Sequence, residues 1–86
     1  MTNLKQKLEE RIARIDEELL TVNSSLRGLR GMLDRIAEVV AHYPHSYEIS
    51  NFVARKIESL TYRKELLEVM RQDAEKRLTA LNDEEG

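Results

Sequence analysis

The chain has 86 residues, of which 35% are charged and 5% aromatic, with three Gly, one Pro and no Cys. This length suits one small domain, and the lack of Cys excludes a disulfide framework and thiolate chemistry. The net charge of −2 does not favour a general nucleic-acid binder. A composition rich in Leu, Glu, Lys, Arg and Ala is typical of long helices and coiled coils.

The first predicted element is a long helix. Apolar residues recur at alternating spacings of three and four from Leu8 to Tyr43. This seven-residue repeat predicts an amphipathic helix whose apolar stripe forms a coiled-coil seam. We expect the helix over about residues 2–43, with Thr2 as its N-cap and the Tyr43 ring in the core. Pro44 sets the end, because proline disfavours helical geometry at the residue before it.

The second predicted element is another helix of the same kind. Its apolar repeat runs from Val53 to Leu81. We expect a turn at about residues 44–46, helix 2 over about residues 47–82, and a frayed acidic tail at 83–86. The sequence therefore predicts a single all-α domain, an antiparallel two-helix coiled-coil hairpin.

The two seams can be paired in antiparallel order so that each a-type position meets a d-type position. In the predicted register Leu26 lies opposite Leu67, and Arg71 lies opposite Val22. Arg71 and Lys64 are the two cations at core-like positions. We expect their stems to lie along the seam and their charges to reach solvent.

Helix 2 carries a second apolar stripe that points away from helix 1. This helix 2 ridge consists of Phe52, Tyr62, Leu66 and Val69. The outer face of helix 1 holds a strip of small residues, Ser24, Gly28 and Gly31, here called the glycine strip. An exposed apolar stripe usually marks an interface, so the ridge and the strip predict a four-helix bundle dimer or a higher oligomer. The alternative is that the glycines only bend a long helix.

The turn-side half of the hairpin is basic. Between Arg27 and Lys64, seven cations face four acids, whereas the remaining segments hold seven cations and twelve acids. Arg and aromatic residues often dominate binding hot spots, so this half and the turn predict a surface for another protein. The predicted partner-binding residues are His42, His45, Tyr47, Arg27, Arg30, Arg35, Arg55 and Lys56.

These features favour a non-catalytic interaction protein, an adaptor or small inhibitor, over an enzyme. The sequence shows no nucleophile motif and no phosphate-binding glycine loop in a strand–helix context. An alternative is an oligomer that sequesters an anionic small molecule such as a nucleotide signal between protomers, a sponge of the phage anti-defence type. The predicted ligand-binding residues are then Arg27, Gly28, Arg30, Gly31, Tyr62, Arg63 and Lys64. A second alternative is a purely structural assembly unit.

No cofactor or metal is expected, because His42 and His45 lack a third ligand. No apolar run reaches the length of a membrane span, and the segment 1–5 lacks the apolar core of a signal peptide. We therefore expect a cytoplasmic protein whose partners are other copies of itself and another protein, with an anionic small molecule as the alternative. Neither a membrane nor a nucleic acid is expected as a partner.

Overall fold

The computed structural model describes the backbone of residues 3–43 and 47–85. These ranges contain two helices of 39 residues each, α1 (Leu4–His42) and α2 (Tyr47–Glu85). A helix of this length spans about 58 Å, and the molecule measures 64 × 17 × 15 Å. The helices therefore lie side by side in antiparallel order as a helical hairpin, and the described residues contain no strand.

The N-cap of α1 is Asn3. Its Oδ1 accepts a hydrogen bond from the backbone N–H of Gln6 at 3.2 Å, and its carbonyl accepts from the N–H of Lys7 at 3.1 Å. The prediction of Thr2 as the cap is therefore wrong by one residue, because two adjacent residues are both of the cap-forming type. Thr2 itself lies outside the described residues.

The α1 helix ends at His42, and the backbone of Tyr43 is extended, with φ −134° and ψ 91°. Its N–H donates to the carbonyl of Val39 at 2.8 Å, but the residue is 66% exposed. Placing Tyr43 in the core is therefore wrong: once the backbone leaves the helix, the seven-residue repeat no longer directs the side chain. An extended conformation is what a residue before proline adopts. The predicted turn at 44–46 lies outside the described residues.

The α2 helix starts at Tyr47, as predicted, and runs to Glu85, three residues past the predicted end. No Gly or Pro interrupts the segment 82–85, and Glu is a good helix former, so the acidic tail stays helical up to that point. No helix in the described ranges has an apolar stretch that could cross a bilayer.

The core is a single row of apolar side chains along the seam. The buried members are Leu8, Ile15, Val22, Leu26, Val53, Leu67 and Ala74. All of them belong to the two predicted seams. The middle of the row is widened by half-buried neighbours, including Ile57, Leu60 and Met70 on α2.

The two seams pair one heptad away from the predicted register. Two ion pairs cross between the helices, Arg71 with Asp16 and Arg63 with Glu18. The predicted register puts Arg63 opposite residue 30, twelve residues or about 18 Å along the axis from Glu18, too far for the two side chains to span. Sliding α2 by one heptad places Arg71 beside Ile15 and brings both ion pairs within reach of their side chains.

This error has a simple physical origin. A seven-residue repeat looks the same after a shift of seven, so apolar matching alone permits both registers. In the observed register Leu60 lies near Leu26, which agrees with its packing against the core cluster. The charged residues do not repeat, and they distinguish the two alignments.

Candidate functional site

The cross-helix ion pairs mark two lateral faces of the hairpin. Glu18 and Arg63 meet on one side of the seam, with Nη2 3.1 Å from Oε2. Asp16 lies two residues before Glu18, a rotation of about 200° around the helix, and it meets Arg71 on the other side of the seam. We call these sides the Glu18 face and the Asp16 face.

Arg71 is the centre of a charged cluster on the Asp16 face. Its Nε lies 2.6 Å from Oδ1 of Asp16 and its Nη2 lies 3.3 Å from Oδ2, while its Nη1 donates to Glu75. The hydrogen bond from Arg71 holds the pKa of Asp16 below its ordinary value of 3.8, although desolvation opposes the shift. The same bond raises the pKa of Arg71. The pair with Asp16 joins α1 to α2, and the pair with Glu75 lies within α2.

Four exposed apolar side chains near the turn lie on the Glu18 face. They are Met32, Val39, Ile49 and Phe52, here called the turn-end patch, with exposed fractions of 49%, 47%, 57% and 67%. Met32 lies two heptads after Glu18 and Ile49 two heptads before Arg63, so they occupy equivalent positions across the seam. Val39 follows Met32 by one heptad, and Phe52 follows Ile49 by about one turn.

Sequence reasoning identified only Phe52 of this patch. Met32 and Val39 each lie one residue before a residue of the predicted α1 seam, and Ile49 lies before the predicted α2 seam begins at Val53. A search for the seams alone therefore passes over all three. The available signal was that two such edge positions on α1 near the turn are apolar. The patch residues form one surface only when the two helices pair, and the apolar repeat did not determine the register of that pairing.

The helix 2 ridge and the glycine strip are both exposed within one hairpin. Tyr62 is 68% and Val69 61% exposed, and no heavy atom lies within 4 Å of a Cβ built on Gly28 or Gly31. Open space at both glycines means that packing within the hairpin does not require their small size. The predicted interface therefore remains uncovered on the single chain.

The predicted partner-binding residues do not form one surface. Those on the Glu18 face are Arg35, His42 and Lys56. Those on the Asp16 face are Arg27, Arg30 and Tyr47. Arg55 points outward between them, and His45 lies outside the described residues. A single flat partner surface can therefore contact only part of the predicted set.

The predicted ligand-binding residues are better assembled. A groove of about 540 Å³ on the Asp16 face, here called the seam groove, brings four of the seven together. Its lining residues are Asn23, Leu26, Arg27, Arg30, Gly31, Asp34 and Lys64. Arg63 lies on the opposite face, bound to Glu18, and Gly28 and Tyr62 do not line the groove.

The seam groove carries uncompensated positive charge. Among the described residues, the ion pairs use Arg63, Arg71 and Arg77 and leave out Arg27, Arg30 and Lys64. Asp34 is the single carboxylate in the lining. A groove with three cations and one acid can attract an anion, because guanidinium and ammonium groups donate to oxyanions.

The described part of the chain offers no metal centre. His42 is exposed at the end of α1, and no three His, Asp or Glu side chains of the described residues are grouped to hold an ion. Comparison with known proteins names no relative: no protein-family model, no curated protein and no solved structure matches the chain.

Proposed function

We propose that this chain is a non-catalytic interaction protein, an adaptor or small inhibitor, which self-associates and binds another protein near its turn. The turn-end patch is the observation that carries the proposal. Four large apolar side chains lie on one face, and each is about half exposed or more. Covering them is favourable, because removing apolar area from water gains about 25 cal/mol per Å².

The balance of apolar side chains in the whole hairpin supports self-association. Among the described residues, seven apolar side chains are buried, whereas eleven large ones are exposed. A two-helix hairpin has only one seam in which to bury them. Association with other chains is how small domains usually gain further burial.

The surroundings of the turn-end patch indicate the chemistry of its protein partner. Arg35 and Lys56 lie on the same face, so the patch has an apolar centre and a basic rim. Binding surfaces commonly have this arrangement, with aromatic and aliphatic anchors at the centre. The partner that fits is a protein surface with an apolar centre and acidic residues around it.

The experiment has two readouts on one set of variants. Light scattering gives the mass of the wild type, of Ile49→Glu and of the outward-facing control Lys76→Glu. A photo-crosslinking amino acid at position 52 or 76 is then used in the native host. We expect a mass above that of the monomer that Ile49→Glu lowers and Lys76→Glu does not, and a defined protein adduct from position 52 only. A monomeric wild type without adducts would overturn the proposal.

The seam groove favours a second candidate function, sequestration of an anionic small molecule. Thermal shift against a panel of nucleotides tests it, with Arg30→Ala as the groove variant and Arg55→Ala as the matched exposed control. A shift that Arg30→Ala abolishes and Arg55→Ala retains would support ligand binding. A large defined oligomer with neither ligand nor adduct would instead favour a purely structural assembly unit.

A further inference from the structure

Charge is divided between the two lateral faces. On the Glu18 face the cations are Lys7, Arg11, Arg14 and Arg35 of α1 with Lys56, Arg63 and Arg77 of α2, against the acids Glu18, Asp73 and Glu84. On the Asp16 face the acids are Glu9, Asp16 and Asp34 of α1 with Glu58, Glu65, Glu68 and Glu75 of α2, against Arg27, Arg30, Lys64 and Arg71. Counted over these residues, the two faces carry formal charges of +4 and −3. The nearly neutral total hides this segregation.

The opposite charges also lie at the same heights along the rod. On α1, Arg14 is two residues from Asp16, and Arg35 is next to Asp34. On α2, Lys56 and Glu58 are two residues apart, as are Arg63 and Glu65. Two residues correspond to about 3 Å along a helix, well within the reach of these side chains. A second hairpin placed alongside, parallel and without axial shift, therefore presents a carboxylate at the height of each of these cations.

The apolar groups match in the same arrangement. Opposite the turn-end patch, the Asp16 face carries small or apolar residues at the same heights, Ala37, Ala41, Tyr47 and Ala54. Alanines allow the large side chains of the patch to approach the helix backbone closely. In the observed register Leu66 of the Glu18 face and Leu20 of the Asp16 face also share a height, and they are 49% and 72% exposed.

We propose that the hairpins associate side by side in parallel, with the Glu18 face of one copy on the Asp16 face of the next. This rests on the proposed self-association and adds its geometry. Because the two contacting surfaces differ, the interface is heterologous, and repeating it gives a closed ring or an open stack. Charge complementarity sets the partner's face, while the turn-end patch against Ala37, Ala41 and Ala54 supplies the apolar contact.

The test uses two charge-reversal variants of residues that make no ion pair within the described part of the hairpin. Arg14→Glu/Lys56→Glu reverses the Glu18 face, and Glu58→Lys/Glu65→Lys reverses the Asp16 face. Glu17→Lys/Glu38→Lys, on the outer surface of α1, is the matched control. Light scattering gives the mass of each protein, and of the first two mixed in equal amounts, at ionic strengths of about 0.1 M and about 1 M.

We expect the wild type and the control to assemble at the lower ionic strength and to lose mass at the higher one. Each face variant alone should be a monomer. Their mixture should regain mass, because Arg14→Glu/Lys56→Glu retains the native Asp16 face and Glu58→Lys/Glu65→Lys retains the native Glu18 face. If Glu58→Lys/Glu65→Lys keeps the wild-type mass, the side-by-side proposal is overturned while self-association stands. A monomeric wild type overturns both self-association and the side-by-side geometry. If the control loses as much mass as the face variants, the effect of charge is non-specific and the side-by-side geometry is also overturned.

Discussion

Arg71 holds Asp16 across the seam with two hydrogen bonds, Nε to Oδ1 at 2.6 Å and Nη2 to Oδ2 at 3.3 Å. A forked contact of this kind constrains direction as well as distance, because the guanidinium and the carboxylate are both planar. Arg71 occupies a position that an apolar residue would fill in an ideal seam. A polar residue at such a position specifies register at some cost in stability.

The first prediction is that Arg71 selects between the two registers. In Arg71→Leu the seam becomes more apolar, and we expect the hairpin to sample the alternative alignment one heptad away. The chain has no Cys, so Ser25→Cys/Ser59→Cys can report the alignment. The two positions lie about 3 Å apart along the axis in the observed register and about 14 Å apart in the alternative one.

The measurement is the rate of crosslinking by a short bifunctional thiol reagent. We expect it to fall several-fold in Arg71→Leu at unchanged helix content. Arg77→Leu is the matched control, since it removes an ion pair to Asp73 within α2 and leaves the cross-helix pairs in place. Equal crosslinking in both variants would show that Arg71 does not set the register.

The second prediction concerns pH. The folded pKa of Asp16 is depressed, so its ion pair contributes stability above the ordinary value of 3.8 and loses it as the pH falls through the folded pKa. We expect the free energy of unfolding to drop as the pH falls below 3.8, and Asp16→Asn to flatten that part of the profile. Urea titrations over this range measure it, with exposed Glu17→Gln as the control. A profile that Asp16→Asn leaves unchanged would contradict the assignment.

The third prediction concerns the glycines of α1. A Cβ at Gly28 or Gly31 meets open space, so Gly→Ala at either position should raise the free energy of unfolding by about 1 kcal/mol. Chemical denaturation at low protein concentration measures this gain. If Gly31→Ala stabilises the monomer but weakens association at high concentration, the glycine strip lies in a contact between copies. No gain at either position would show that the glycines serve a bend.

The fourth prediction separates the seam from the surface. Leu26 is 2% exposed and Leu20 is 72% exposed, although both are leucines on α1. Leu26→Ala should cost about 2–5 kcal/mol, because it leaves a cavity in the core cluster. Leu20→Ala should change stability by about 0.5 kcal/mol or less in the monomer. Helix content followed by circular dichroism during urea unfolding distinguishes them, and similar losses would place Leu20 in a buried contact.

Much of the fold could be predicted from local pattern. The apolar spacing from Leu8 onward identified the residues that α1 buries, and Pro44 limited α1 to the segment before it. These features depend on helix periodicity and on the backbone geometry of one or two residues, both of which are encoded locally. The prediction for Tyr43 was wrong because it extended that periodicity beyond the end of the helix.

The sequence by itself determined two amphipathic helices, their seams and the exposure of the helix 2 ridge, because each follows from spacing within one helix. Only the tertiary structure decided which residues meet. Pairing Glu18 with Arg63 and Asp16 with Arg71 brought Met32 beside Ile49, separated Arg27 from Lys56, and sorted the charges onto two faces. A heptad repeat is unchanged by a shift of seven residues, so these relationships depend on side-chain contacts between the helices.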